Sequence, residues 1–180
     1  MKKLEIMLWC VVLCMSLGGC IKPMSRGERL TKELGSDQQI SDRMMEDIAA
    51  ALDVGDADAL KSLFSKTALE EATDIDQQIS DLLEFYQGKK QSFEGDASSS
   101  THTKYGEDIE KELKGKYKLI TEETTYEIGY QYNVIDKENP DKEGLISFEI
   151  VTEAEYRRQV DSNGYYKWQY ANNPGIYVHE

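Results

Sequence analysis

Cysteine is missing from the chain after position 20: of 180 residues only Cys10, Cys14 and Cys20 carry a thiol, all at the amino terminus. The body of the protein is thereby excluded from disulfide staples, thiol catalysis and cysteine zinc sites. Histidine is almost as scarce, with His102 and His179 alone and no metal-binding spacing between them; both are expected at the surface. No G-x-S-x-G elbow occurs, so a serine hydrolase has no support. Positive charge is short as well, 21 Lys and Arg against 34 Asp and Glu, for a net charge of -13 and a pI near 4.7. A chain so acidic repels polyphosphate, which excludes a nucleic-acid binder. No apolar run reaches the roughly 20 residues that span a bilayer. No metal and no cofactor are expected. What is present, 39% hydrophobic and 31% charged residues, suffices for one core.

The amino terminus reads as an export signal. Lys2 and Lys3 precede an apolar stretch from Ile6 to Leu17, interrupted only by Ser16 and too short to cross a membrane. Leu17-Gly18-Gly19-Cys20 follows and resembles a bacterial lipobox, in which small residues admit the signal peptidase ahead of a cysteine to be lipidated. Neither Cys10 nor Cys14 has such a flank. The motif implies a signal peptide over 1–19, a lipidated Cys20 with a flexible tether over 20–36, and a single domain over 37–180. Location follows: the extracytoplasmic side of a bacterial cell membrane, held by lipid on Cys20. Pro23, Gly27 and Gly35, with a slight basic excess, suit a tether beside an anionic surface.

Periodicity divides the rest. Ile40, Met44, Ile48 and Leu52 recur at helical spacing, and Gly55 closes that segment. Asp56 is placed to cap a second helix presenting Leu60, Leu63 and Phe64, and Asp74 with Gln77 has the pattern of a capping box for a third, bearing Ile75, Ile79, Leu82 and Leu83. The period then drops to two. Tyr126, Ile128, Tyr130, Tyr132 and Val134 form one face of a strand, and Ile146, Phe148 and Ile150 form another after the turn-rich Asp136 to Gly144 loop. Ser162-Asn163-Gly164 signals a further reversal before Tyr166, Trp168 and Tyr170. Between these regions, Gln91 to Lys118 fits either strand and hairpin or, over Glu107 to Lys114, a charged helical turn; Val151 to Val160 is equally open. Helices first and strands afterwards predict an α+β class, with amino-terminal helices packed on a curved antiparallel sheet.

The Gly55-Asp56-Ala57-Asp58-Ala59-Leu60 junction with Leu63-Phe64-Ser65, together with the element order, resembles nuclear-transport-factor-2-like (cystatin-like) cone domains. The Pro140 to Leu145 turn and the closing Pro174-Gly175-Ile176-Tyr177 are similar to uncharacterised lipoprotein families of that fold. The resemblance implies a pocket between helices and sheet, in domains that serve as isomerases, dehydratases, ligand binders or assembly modules alike.

Candidate chemistry is sparse. Gly55 to Ser62 departs from a phosphate loop, since Leu60 replaces the second glycine and aspartates stand where amides must meet phosphate. Asp53, Asp56 and Asp58 lack calcium-loop spacing. Tyr126, Tyr130, Tyr132, Phe148, Trp168 and Tyr170 would line a helix–sheet pocket if it is open and form core if it is filled. Glu127, Gln131, Asn133 and Glu149 fall on the opposite face, which is expected to be polar. No carboxylate therefore points into the pocket, which favours a membrane-anchored module binding a small molecule, a cationic peptide or an envelope protein. The alternative is a small isomerase- or dehydratase-type enzyme with a carboxylate base.

Overall fold

A computed structural model describes residues 24–170 and 173–179. Helices α1 (Arg26–Leu34), α2 (Asp37–Val54), α3 (Ala57–Leu63), α4 (Lys66–Glu71) and α5 (Ile75–Phe85) come first. Strands β1 (Lys90–Lys104), β2 (Glu107–Thr121), β3 (Thr125–Asp136) and β4 (Gly144–Thr152) follow, then α6 (Glu153–Gln159) and β5 (Gly175–His179). A single 3-10 turn, Pro140–Lys142, interrupts the β3–β4 connection. The sheet has the order β1-β2-β3-β4-β5, antiparallel except for the parallel pair β4–β5. The class is thus α+β, with helices on a mostly antiparallel open sheet.

The helix boundaries have local causes. Ser36 caps α2 by accepting from Gln39 N, and Gly55, at φ 66°, turns the chain out of it. Asp56 caps α3 by accepting from Ala59 N at 2.9 Å, as its position predicts. The capping box expected at Asp74 is not made: Asp74 adopts a left-handed φ of 52° and its side chain caps nothing. The expected tether is also different. Ser25 and Glu28 form a reciprocal capping box, and α1 runs to Gly35. Gly27 allows this helix to lie on β3, because a Cβ there would overlap Val134 O. Charge spacing in this segment carries no sign of that contact, whereas the backbone surface it meets is built only by the folded sheet.

The ambiguous stretch from Gln91 to Lys118 is a long hairpin, β1 paired with β2 from Lys90↔Thr121 to Lys104↔Glu107, turning at Tyr105 and Gly106, which both have positive φ. No helical turn forms over Glu107 to Lys114. Val151 to Val160 ends the strand and becomes α6, capped by Thr152 accepting from Glu155 N.

The core lies between helices and sheet. Ile40, Met44, Met45 and Ile48 of α2 meet Tyr117, Tyr126, Ile128, Tyr130, Phe148 and Ile150, all buried. Tyr130 can lie flat because Gly115 stands opposite it; a Cβ at Gly115 would overlap the Tyr130 ring. The Tyr117 and Tyr130 rings stack at 5.9 Å.

The outer face of the sheet is not the polar docking surface that alternation predicts. After the reversal at Asp161 to Tyr165, where Gly164 takes φ 82°, Tyr166 to Tyr170 crosses that face as an irregular strap rather than a strand. Trp168 and Tyr170 occupy the space a Cβ at Gly129 would need. Beneath the strap Glu149 is fully buried and Ser147 likewise. Period-two logic assigns the face correctly but is blind to a segment that covers it.

Candidate functional site

The six aromatic residues proposed for one pocket are divided between the two faces. Tyr126, Tyr130, Tyr132 and Phe148 lie under the helices, at most 2% exposed. Their hydroxyls are largely committed to the protein. Tyr130 donates to Ser41 O at 2.8 Å and lies 2.6 Å from Ser41 Oγ. Tyr126 donates to Phe85 O and accepts from Gln87 N. Their neighbour Tyr117 donates to Asp42 Oδ1 at 2.8 Å, and Tyr86 donates to Asp53 Oδ1 at the same distance. Burial pushes Tyr130 well above the ordinary phenol value and takes Tyr132 up to about 12. Buried phenols held neutral in this way, all but Tyr132 also hydrogen-bonded, act as core. Trp168 and Tyr170 sit on the other face, in an aromatic row with Tyr156 and Tyr166 whose ring centroids are 4.8 to 5.6 Å apart from one ring to the next. Cys20 lies outside the described residues.

The acidic residues considered for cations are spent on the fold. Asp53 Oδ1 accepts from Lys90 N as well as from Tyr86, tying the end of α2 to β1. In the β3–β4 loop, Asp136 accepts from Asn139 N and Glu143 from Asp136 N. Among the described residues no His, Cys, Asp and Glu group has metal-site geometry. His179, expected at the surface, instead places Nε2 3.0 Å from Glu149 Oε1, and Glu149 also accepts from the Gln169 and Tyr170 amides. This cluster pins the strap; His102 remains exposed on β1.

An unfilled position is found at the edge of β4. Leu145 is bridged to Phe64, with Ser65 N donating to Leu145 O at 2.9 Å, whereas Ser147 pairs with Gly175 of β5. Between these two neighbours lies Ile146, at a register shift in the β3–β4 ladder that skips it. The bulge turns Leu145, not Ile146 as alternation predicts, into the core, and a notch of about 260 Å³ opens beside it. Ala68, Ile146 and Pro174 supply its apolar wall, and Glu71, Glu110 and Lys142 its charged rim. Asn133 of β3 also lines it.

Of three buried side-chain atoms without a hydrogen-bond partner, Glu155 Oε2 and His179 Nε2 face Arg158 and Glu149, and Asn133 Oδ1 faces no charged group among the described residues. Asn133 is 5% exposed, and its Oδ1 is buried with no hydrogen-bond partner among the described residues. Buried carbonyls are almost always paired, because leaving one unpaired costs about 1–3 kcal/mol. The other oxygens nearby are occupied: Ser65 Oγ accepts from Ala68 N, and Thr67 Oγ1 donates to Asp141 O. None of Glu71, Glu110 and Lys142 has an ion-pair partner among the described residues. The depressions lined by Asp81, Phe85 and Val178, and by Arg26, Asp47 and Leu63, contain no comparable orphaned group.

A family model described as a domain of unknown function (DUF5104) matches residues 47–153, more than half of the 180-residue chain. The chain belongs to that family. No curated protein matches it. The DUF5104 span starts within α2 and ends just after β4, so it includes Asn133, Glu71, Glu110 and Lys142 but neither the strap nor β5.

Alternation puts Asn133 opposite Tyr132 and Val134, on the same outer face as Glu127, and says nothing of the rim. A signal existed: Asn133 interrupts the run Tyr132, Val134, Ile135 in the middle of a strand, where asparagine is disfavoured. The rim has none, since its three charges come from α4, β2 and the 3-10 turn and meet only in the fold.

Proposed function

We propose that this DUF5104 protein is a lipid-anchored extracytoplasmic module that binds a small molecule in the notch at the β4 edge. The observation carrying the reading is the buried, unpartnered Asn133 Oδ1 in a cleft whose other polar groups are paired or charged. A fold tolerates such a group where a ligand completes it. The tyrosine-filled space between helices and sheet supports binding at the edge rather than in the cone interior that the nuclear-transport-factor-2-like resemblance implies. The anchor rests on Leu17-Gly18-Gly19-Cys20 and its flanks. An isomerase- or dehydratase-type enzyme would have to free Asp42 or Asp53 from its tyrosine partner.

Fragment screening by NMR on the full chain in detergent tests the ligand site. The expected result is a set of fragments that perturb the Ser65, Thr67, Asn133 and Ile146 amides together. Fragments that perturb only resonances elsewhere would overturn the assignment.

A further inference from the structure

We infer that the notch selects a small zwitterion, a molecule bearing a protonated amine and a carboxylate a few bonds apart. This rests on the notch being a ligand site and adds the chemistry of what fills it.

Asn133 sets the first requirement. Its side-chain amide makes no hydrogen bond among the described residues, and a donor placed against the buried Oδ1 would complete it. Apolar ligands would leave that oxygen unpaired and keep the desolvation penalty in place. The rim sets the sign of the donor. Glu71 on α4 and Glu110 on β2 bring two carboxylates to one cleft, both exposed and neither held by a cation of the protein among the described residues. Carboxylates on the rim of the cleft that this amide lines favour an ammonium over a neutral N–H, because each contact is then charge-assisted. The net charge of -13 adds a field of the same sign.

Lys142 sets the second requirement. It comes from the 3-10 turn and is exposed, and its ammonium likewise has no ion-pair partner among the described residues. A simple amine leaves that charge unanswered, whereas a carboxylate on the same ligand neutralises it. The remaining wall, Ala68, Ile146 and Pro174, is short and apolar, fitted to the methylenes between two charged ends. A volume near 260 Å³ lies just below the usual range of drug-sized sites and suits a smaller molecule.

The test measures binding of glycine, β-alanine, γ-aminobutyrate, butylamine and butyrate to the full chain in detergent, by NMR shift titration. One or more of the amino acids is expected to bind at least about tenfold more tightly than butylamine, with butyrate weakest. Lys142→Ala is expected to bring the zwitterion down to the level of butylamine, and Glu110→Gln to weaken both amines. Asn133→Leu separates a site from a structural role. Because it removes an orphaned acceptor at similar volume, it should raise the unliganded melting temperature while lowering zwitterion affinity about tenfold or more. Butyrate binding as well as the amines, or zwitterions gaining nothing over butylamine, would overturn the ligand class. If fragments perturb the notch but none of the five probes binds, the class is wrong and the ligand site stands. If no fragment perturbs it, both readings fall.

Discussion

Tyr130 shows how a phenol becomes core. Its ring needs the bare Cα of Gly115, and its hydroxyl is satisfied at both ends by Ser41. Removing that hydroxyl in Tyr130→Phe leaves the fully buried Ser41 hydroxyl without its partner. A loss of about 1–3 kcal/mol is expected in chemical denaturation. The same burial predicts alkaline sensitivity. Burial first, then the Asp42 carboxylate, takes Tyr117 up to about 12, and burial does the same for Tyr132. In the unfolded chain both phenols ionise near their ordinary value of 10. Their contribution is complete below pH 10 and is lost as pH rises toward 12, since only the unfolded state releases the protons. Denaturation midpoints that hold constant from pH 9 to 12 would contradict this. Phenolate absorbance should appear together with unfolding, not before it.

At the scale of elements, the strap and α1 are the two pieces that alternation and periodicity do not announce. Glu149 holds the strap through two backbone amides and sits against His179. Glu149→Ala removes that acceptor and leaves both amides unanswered, at a cost of about 1.5–3 kcal/mol per charged hydrogen bond. Deuterium uptake should rise first at Tyr166 to Tyr170. Trp168 reports the same event by fluorescence, because the other tryptophan, Trp9, lies in the proposed leader over 1–19. An unchanged Trp168 spectrum with global destabilisation would mean that the strap does not open separately. For α1, Gly27→Ala forces the helix off Val134 O. Trypsin is then expected to cut at Arg26 and Arg29 faster than in the parent, while the α2-to-β5 body stays resistant.

For the whole molecule, helices pack on one face of a mostly antiparallel sheet, and the proposed anchor would hold that unit close to a membrane. Among the described residues no helix is long and apolar enough to cross a bilayer. The proposed attachment rests on Cys20 and the residues before it. Cys20→Ser in the full chain should abolish palmitate labelling and block processing of the leader; labelling that persists would remove the anchor. With α1 docked on β3, the segment available as tether is shorter than 20–36, ending where Ser25 begins the capping box. The domain should then sit nearer the lipid surface than a flexible 17-residue spacer allows.

Local chemistry was readable at several junctions where cause and effect lie within a few residues, although not at Asp74 or at the Ser25–Glu28 box. Gly55 and Asp56 mark the α2–α3 junction, the helical period of Ile40 to Leu52 finds α2, and the tyrosine alternation from Tyr126 finds β3 with its buried face. The α+β class follows from the order of those segments. Tertiary structure alone decided three matters, each depending on residues far apart in the chain. Glu149 became buried because a strap 17 to 21 residues later crosses over it. Ile146 left the core because two different neighbours share the β4 edge, and α4, β2 and the 3-10 turn gathered three charges around Asn133. Periodicity reports which side of an element faces inward, but only packing determines what arrives on that side and where a gap is left.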